Sequence, residues 1–414
     1  MRLTSEEQAL LAGEQGPGVR KATEIVIALG KIYGADRLVP VESVQVAGVS
    51  YKNLGPAGLA FLREWAAEGG RVRVPTMLNP AGMDLRRWRE LGFAESFAAR
   101  QSQVVDAFAA MGIETTCTCT PYLVGQVPEP GTHLAWAESS AVSFANSVLG
   151  ARTNREGGPS ALAAAISGRT ARYGLHCDEN RLASVEVVVR CPVQGTADWG
   201  ALGYLVGKAV RNRVPLFREL PVDAPAESST GLWDRLKALG AAMAASGAVA
   251  LYHIEGVTPE ARQGQMLQLE HKTLVIDSLA PGYHALSGDG EPVQIDLVWF
   301  GCPHASMDEI AQLARFAAGK RFAPAVWVTT SRQMREAAET AGYVAAIEAA
   351  GGQVVADTCV VVAPVGERFK TMATLSGKGG FYAPSYLGMQ VRYGDWKQLE
   401  QVMVTGWWKG GNDS

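Results

Sequence analysis

No run of about twenty uninterrupted apolar residues occurs in the chain; its hydrophobic pieces are broken by charges, glycines or prolines at strand and helix lengths, so no helical membrane span is expected. A basic-then-apolar leader is missing too. The start, Met1-Arg2-Leu3-Thr4-Ser5-Glu6-Glu7-Gln8, turns polar and acidic at once, which points to the cytoplasm and to reduced cysteines. Positive charge is not in excess, and the net charge of -3 does not suit a nucleic-acid backbone, so small substrates are expected rather than polyanions. The compact cysteine patterns that hold electron-transfer clusters are absent, and six cysteines in 414 residues is an ordinary number. The full Gly-x-x-x-x-Gly-Lys-Ser/Thr phosphate loop is missing as well. Ser376-Gly377-Lys378-Gly379-Gly380 resembles it only superficially, and ATP use is rejected on that ground.

What is present is an alternation of strand-like and helix-like stretches, long enough for two or three lobes. The pattern predicts an α/β fold, multi-lobed, with repeated strand–helix units and ligands at strand ends. Ser5 with Gln8 resembles a capping box, and Val19 to Lys31 repeats apolar residues at helical spacing. Leu38 to Ala47, Arg71 to Met77 and Ile113 to Thr116 read as strands, and Asp84 as a cap for a helix over Leu85 to Leu91. Later, Pro292 to Phe300 becomes a nearly continuous apolar strand, and Ser331 to Ala350 reads as one helix. Pro221 to Ser229 is rich in proline and serine and marks a break between sub-lobes.

The polar residues concentrate where those strands end. Gly48-Val49-Ser50 follows one, with glycine permitting a close backbone approach and Ser50 a hydroxyl; a tight turn explains the same residues. Asn79-Pro80 follows the next. Glu138 precedes a small-residue helix, as a charge complementing the helix dipole or as a proton-handling carboxylate. The loop Thr153 to Ser160 can cradle an anion through backbone N–H groups and Arg155, or can be a capped surface turn. Cys117 and Cys119 lie in Thr116-Cys117-Thr118-Cys119-Thr120-Pro121-Tyr122, and Gly301-Cys302-Pro303-His304 and Asp357-Thr358-Cys359 occupy similar strand-to-loop settings. Three thiols gathered from three crossovers can hold an iron–sulfur cluster, while buried free cysteines explain the same pattern without a metal.

Taken together and in order, Thr118-Cys119-Thr120-Pro121-Tyr122, Glu138-Ser139-Ser140, Glu156-Gly157-Gly158-Pro159-Ser160, Glu179-Asn180-Arg181, Gly301-Cys302-Pro303-His304, Asp357-Thr358-Cys359 and Ser376-Gly377-Lys378 resemble the large subunit or catalytic domain of the aconitase X family. The likeness runs over essentially the whole chain. It implies an iron–sulfur hydro-lyase in which Cys119, Cys302 and Cys359 hold the cluster, of the 4Fe-4S or 2Fe-2S kind, with Cys117 a bystander. It further implies a substrate pocket of Gly48, Val49, Ser50, Asn79, Pro80, Glu138, Ser139 and Lys378, in which Ser50, Glu138 and Lys378 are candidates for the proton-handling and charge-stabilising roles. The family's small swivelling domain has no counterpart in residues 1–414, so the resemblance implies a separate small subunit as partner. Of the family's two substrates, the Ala- and Arg-rich composition favours dehydration of cis-3-hydroxy-L-proline to a pyrroline-2-carboxylate. The alternative is mevalonate 5-phosphate, converted to trans-anhydromevalonate 5-phosphate, for which Lys378 in its glycine-bracketed loop suits the phosphate.

Overall fold

The structure is a computed structural model and describes residues 1–220, 229–288 and 291–410. Three parallel sheets organise those residues, each the centre of a lobe numbered after its sheet, and the expected multi-lobed α/β architecture is what is found. The first sheet has strands in the order Thr76–Leu78, Val44–Val46, Ala135–Trp136. The second runs His253–Ile254, Pro215–Arg218, Ala183–Val189, Leu267–Ile276. The third runs Gly352–Ala356, Ala325–Thr330, Leu297–Phe300, Thr371–Thr374, Gln390–Tyr393.

Parallel strands covered on both faces read as continuous apolar runs, and Leu297–Phe300 is buried at every position. Alternation then divides it: Val298 and Phe300 enter one core, Leu297 and Trp299 the other. The second of these cores also takes in Met83, Phe93 and Ala98, so one face of the third sheet packs directly against the first lobe. Along the third sheet the strands stand in the sequence order third, second, first, fourth, fifth, and the order reverses beside Leu297–Phe300. Such a reversal opens a crevice at the carboxyl ends of the strands. Cys302 and Ser376 follow the two strands that flank it, and Cys359 follows Gly352–Ala356.

Several local expectations change. The strand expected over Leu38 to Ala47 is two, Leu38–Pro40 paired antiparallel with Arg169–Ala171 and Val44–Val46 in the first sheet; Pro40 lacks the N–H that would continue a ladder. Ile113 to Thr116 contributes only one bridge, Met77 to Glu114. The Ser331 to Ala350 helix is broken into Arg332–Thr340 and Tyr343–Ala349 by Gly342, whose φ of 79° leaves the helical region. Thr4, not Ser5, makes the first capping box, with Glu7. Asp84 does accept the N–H groups of Arg86 and Arg87, but the residues after it form turns rather than a helix. Residues 221–228 of the expected sub-lobe break lie outside the described residues; strands on either side of them, Pro215–Arg218 and His253–Ile254, pair within one sheet. Among the described residues no helix is long and apolar enough to cross a membrane.

Buried ion pairs tie the lobes. Arg332 of the third lobe reaches Asp84 of the first at 2.6 Å and also binds Asp357. Lys237 of the second lobe binds Asp234 at 2.8 Å, Glu309 of the third at 2.5 Å and the His304 carbonyl at 3.3 Å. Lys237→Met would leave two carboxylates facing each other without their cation. We expect a loss of about 3 kcal/mol of stability, the low end for a broken buried pair because Glu309 keeps some solvent contact, read as a lower guanidinium midpoint.

Candidate functional site

The first sheet delivers its polar residues through a buried amide. Gln45, between Val44 and Val46, donates through Nε2 to the Thr118 carbonyl at 2.9 Å and accepts the Glu138 N–H at 3.3 Å, fixing the Cys119 loop and the Glu138 turn to one strand. Glu138 is the N-cap of the helix Ser139–Ser147, its carboxylate accepting Ala141 N–H at 2.8 Å. Across the cavity, Ser376 is the N-cap of Gly377–Leu387, accepting Gly379 N–H at 2.9 Å while its hydroxyl donates to the Cys302 carbonyl. Lys378 therefore stands in a helix first turn, and its ammonium binds Glu138. Gly301 makes the turn before Cys302 with φ 89°; a Cβ there would lie 2.0 Å from the Thr329 carbonyl oxygen, so only glycine fits.

These segments enclose a cavity of about 200 Å³ lined by Asn79, Pro80, Cys119, Glu138, Ser139, Cys302, Cys359 and Lys378 together with Ala47, Asn53, Arg155, Val362, Tyr382 and Tyr386. Among the residues expected at the site, Gly48, Val49 and Ser50 are not in that lining. Ser50 is buried and its hydroxyl donates to the Val362 carbonyl at 2.8 Å, so it ties the turn to the cavity wall. Cys117 is also outside, fully buried in the first-lobe core, and Cys177 and Cys191 lie elsewhere. The second lobe lines none of the cavity and supports it from behind through Lys237.

Burial governs the electrostatics. It pushes the Cys119 thiol up to about 12, the Glu138 carboxylate adding to the effect, and raises Cys302 and Cys359 as well. Burial would also raise Glu138, but the Lys378 ammonium, the Ser140 hydroxyl and the Ala141 N–H outweigh it and hold the carboxyl below its ordinary value. Lys378 is loaded in the complementary sense: burial alone would lower it, and the Glu138 carboxylate raises it. The cavity thus contains one neutralised ion pair beside three thiols.

Among the described residues no group of three or more His, Cys, Asp or Glu side chains converges as a single metal ion requires. Cys119, Cys302 and Cys359 are free, face one cavity and lie near enough for each of the other two to raise Cys302. That donor set suits a polynuclear iron–sulfur core, whose ligand thiolates bind different irons and stand farther apart than those of one ion. Asn79 Oδ1, buried and without a hydrogen-bond partner among the described residues, gives the cavity an unsatisfied acceptor as well.

Several lining residues were not expected from the sequence. Tyr382 and Tyr386 stand four and eight positions after Lys378 on the helix Gly377–Leu387, a spacing that places all of them along one face and was open to inspection. Asn53 had no signal. Arg155, considered above only for a loop of its own, reaches the same cavity, where it is exposed and makes no hydrogen bond or ion pair to any described residue.

Comparison with known proteins gives the family. Residues 1–179, 183–278 and 295–405 match the family profiles described as Aconitase X first, second and third domain. The chain is 50% identical over 402 residues to the phosphomevalonate dehydratase large subunit of Methanothermobacter thermautotrophicus, covering 96% of this chain and 97% of that one. It is 38% identical to the cis-3-hydroxy-L-proline dehydratase of Pseudomonas aeruginosa, covering 95% of this chain and 68% of that protein. The crystal structure of Thermococcus kodakaraensis aconitase X in its holo-form superposes with a TM-score of 0.88 at 46% identity, covering 98% of this chain and 100% of the other. The chain belongs to the aconitase X family and is a hydro-lyase.

Proposed function

We propose that the chain is the large subunit of an iron–sulfur mevalonate 5-phosphate dehydratase, completed by a separate small subunit. The observation that carries the chemistry is the single cavity that joins Cys119, Cys302 and Cys359 to the Glu138–Lys378 pair. An iron–sulfur cluster in this cavity would be held by Cys119, Cys302 and Cys359 and would supply a Lewis acid that makes hydroxide a better leaving group. Glu138 is the one carboxylate lining the cavity among the described residues, and it is assigned the proton removed from the carbon beside the substrate carboxylate. The C–H electron pair becomes the new C=C bond as the neighbouring C–O bond breaks, the departing hydroxide leaves as water with a proton from solvent, and Glu138 returns the substrate proton to solvent. Lys378, freed from Glu138 as that carboxylate is protonated, compensates the charge that grows on the substrate carboxylate. Ser139 and Asn79, which line the cavity, are assigned the orientation of the substrate, and Ser50 the fixing of the wall through its hydrogen bond to Val362.

The substrate preference moves from hydroxyproline to the phosphorylated alternative for two reasons. Four relatives named phosphomevalonate dehydratase large subunit are 46–50% identical and a fifth 38%, against 38% and 34% for those named cis-3-hydroxy-L-proline dehydratase. Lys378, the expected phosphate ligand, is already neutralised by Glu138, whereas Arg155 brings the cavity a cation without a protein counter-ion among the described residues. Arg155→Gln is expected to raise KM for mevalonate 5-phosphate about 10–100-fold with a smaller change in kcat, the value of one or two charge-assisted hydrogen bonds. The deciding assay offers both substrates to the anaerobically reconstituted chain with its candidate small subunit. Turnover of cis-3-hydroxy-L-proline but not mevalonate 5-phosphate reverses the assignment.

A further inference from the structure

His304 belongs to none of the roles above, yet it touches every cysteine-bearing loop of the cavity. It is fully buried. It shares the turn Gly301-Cys302-Pro303-His304 with Cys302, and its backbone N–H donates to Cys119 Sγ at 3.2 Å. Its ring Nε2 lies 2.9 Å from the carbonyl oxygen of Thr358, the residue before Cys359, and Nδ1 lies 3.1 Å from the Thr118 hydroxyl, the residue before Cys119.

The partners fix the tautomer. A carbonyl oxygen only accepts, so Nε2 carries the hydrogen; in the neutral ring Nδ1 then accepts, and the Thr118 hydroxyl must donate to it. With its hydrogen committed, Thr118 Oγ1 takes the Thr120 N–H at 3.2 Å as acceptor. One imidazole thus sets the separation of two loops from its two nitrogens while its own main chain carries the third. Behind it, the His304 carbonyl is held by Lys237 of the second lobe at 3.3 Å, so the turn is anchored on both sides.

We infer that His304 is a positioning residue that holds Cys119, Cys302 and Cys359 at the spacing an iron–sulfur cluster needs before the cluster is inserted. The inference rests on the cluster reading proposed above. Groups behind the ligands of a metal site orient them, and their loss typically weakens metal binding about 10–100-fold. A buried histidine that merely fills space would give no such effect.

The test uses the full chain reconstituted anaerobically, with iron release to a ferrous chelator and the visible absorption of the cluster as readouts. His304→Leu and Thr118→Val are expected to release iron about 10–100-fold faster than the parent, while Thr118→Ser, which keeps the hydroxyl donor, stays near the parent rate. The serine rescue separates hydrogen bonding from packing, and the Thr118 pair decides the matter even where His304→Leu does not fold. Parent protein that holds iron while Thr118→Val releases it no faster overturns the inference and leaves the cluster reading standing. A parent without iron sinks the cluster reading and the inference with it.

Discussion

Replacing Cys302 by serine is expected to strip the reconstituted protein of its iron and lower kcat by about a thousandfold, as follows when several kcal/mol of Lewis-acid stabilisation are lost. Serine keeps the shape of the side chain but is not ionised at neutral pH and is a poor ligand for iron–sulfur cores. The matched control is Cys117→Ser. Cys117 is fully buried in the first-lobe core and does not line the cavity, so its replacement should cost about 1–3 kcal/mol of stability for a buried hydroxyl and leave iron content near the parent value. Cys119→Ser and Cys359→Ser should follow Cys302. Iron per chain, visible absorption and turnover measured together check the set; iron retained in Cys302→Ser, or lost in Cys117→Ser, would show that the ligands are elsewhere.

Removing one member of the Lys378–Glu138 pair should be nearly as severe. Both side chains are about nine-tenths buried, so Lys378→Met strands a carboxylate in the cavity wall, at an expected cost of about 3–5 kcal/mol. Glu138→Gln strands the ammonium instead. Either change should lower kcat about 10²–10⁴-fold, the span of a lost acid–base group. The double variant should recover much of the stability and none of the activity, which separates the structural role of the pair from its chemical one. The pH dependence follows from the directions of the shifts. Glu138 is held below its ordinary value, so its contribution is full at neutral pH and fades as the pH falls through the carboxylate range, about 4. Lys378 is raised, so its contribution is full below the ordinary lysine value and fades only as the pH climbs above about 10. Equilibrium unfolding at acid pH should therefore narrow the gap between the parent and Glu138→Gln. An unchanged gap down to pH 3 would contradict the assignment.

Much of this site was legible because parallel α/β sheets present their strand ends to ligands, and strand ends can be read from apolar runs that stop at glycine, proline and small polar residues. Asn79, Glu138, Cys302 and Cys359 stand at such ends, the family resemblance assigned them to one site, and they line one cavity. Cys117 and Cys119 show where that legibility ends. In an extended strand, residues two apart point to the same side, so both thiols should share a face. The chain places one in the core and the other in the cavity because Cys117 takes φ 44°, a left-handed conformation that breaks the alternation. Nothing about a cysteine advertises that geometry. The break at Pro40 and the helix interruption at Gly342 are written in residues with known backbone preferences. Arg155 and Ser50 were illegible for another reason: which wall a loop side chain meets depends on how two lobes dock, and no local pattern encodes it.

Cys119 comes from the first lobe, while Cys302 and Cys359 come from the third. Any group held by all of them is therefore a clasp across a seam that packing, Arg332 between Asp84 and Asp357, the Lys378–Glu138 pair and hydrogen bonds such as Ser50 to Val362 also fasten. Binding free energy at such a clasp is also docking free energy, since a ligand that engages only the assembled arrangement shifts the population toward it by mass action. Loading the site and closing the seam become one equilibrium, so conditions that loosen the lobes would release the group, and loss of the group would loosen the lobes.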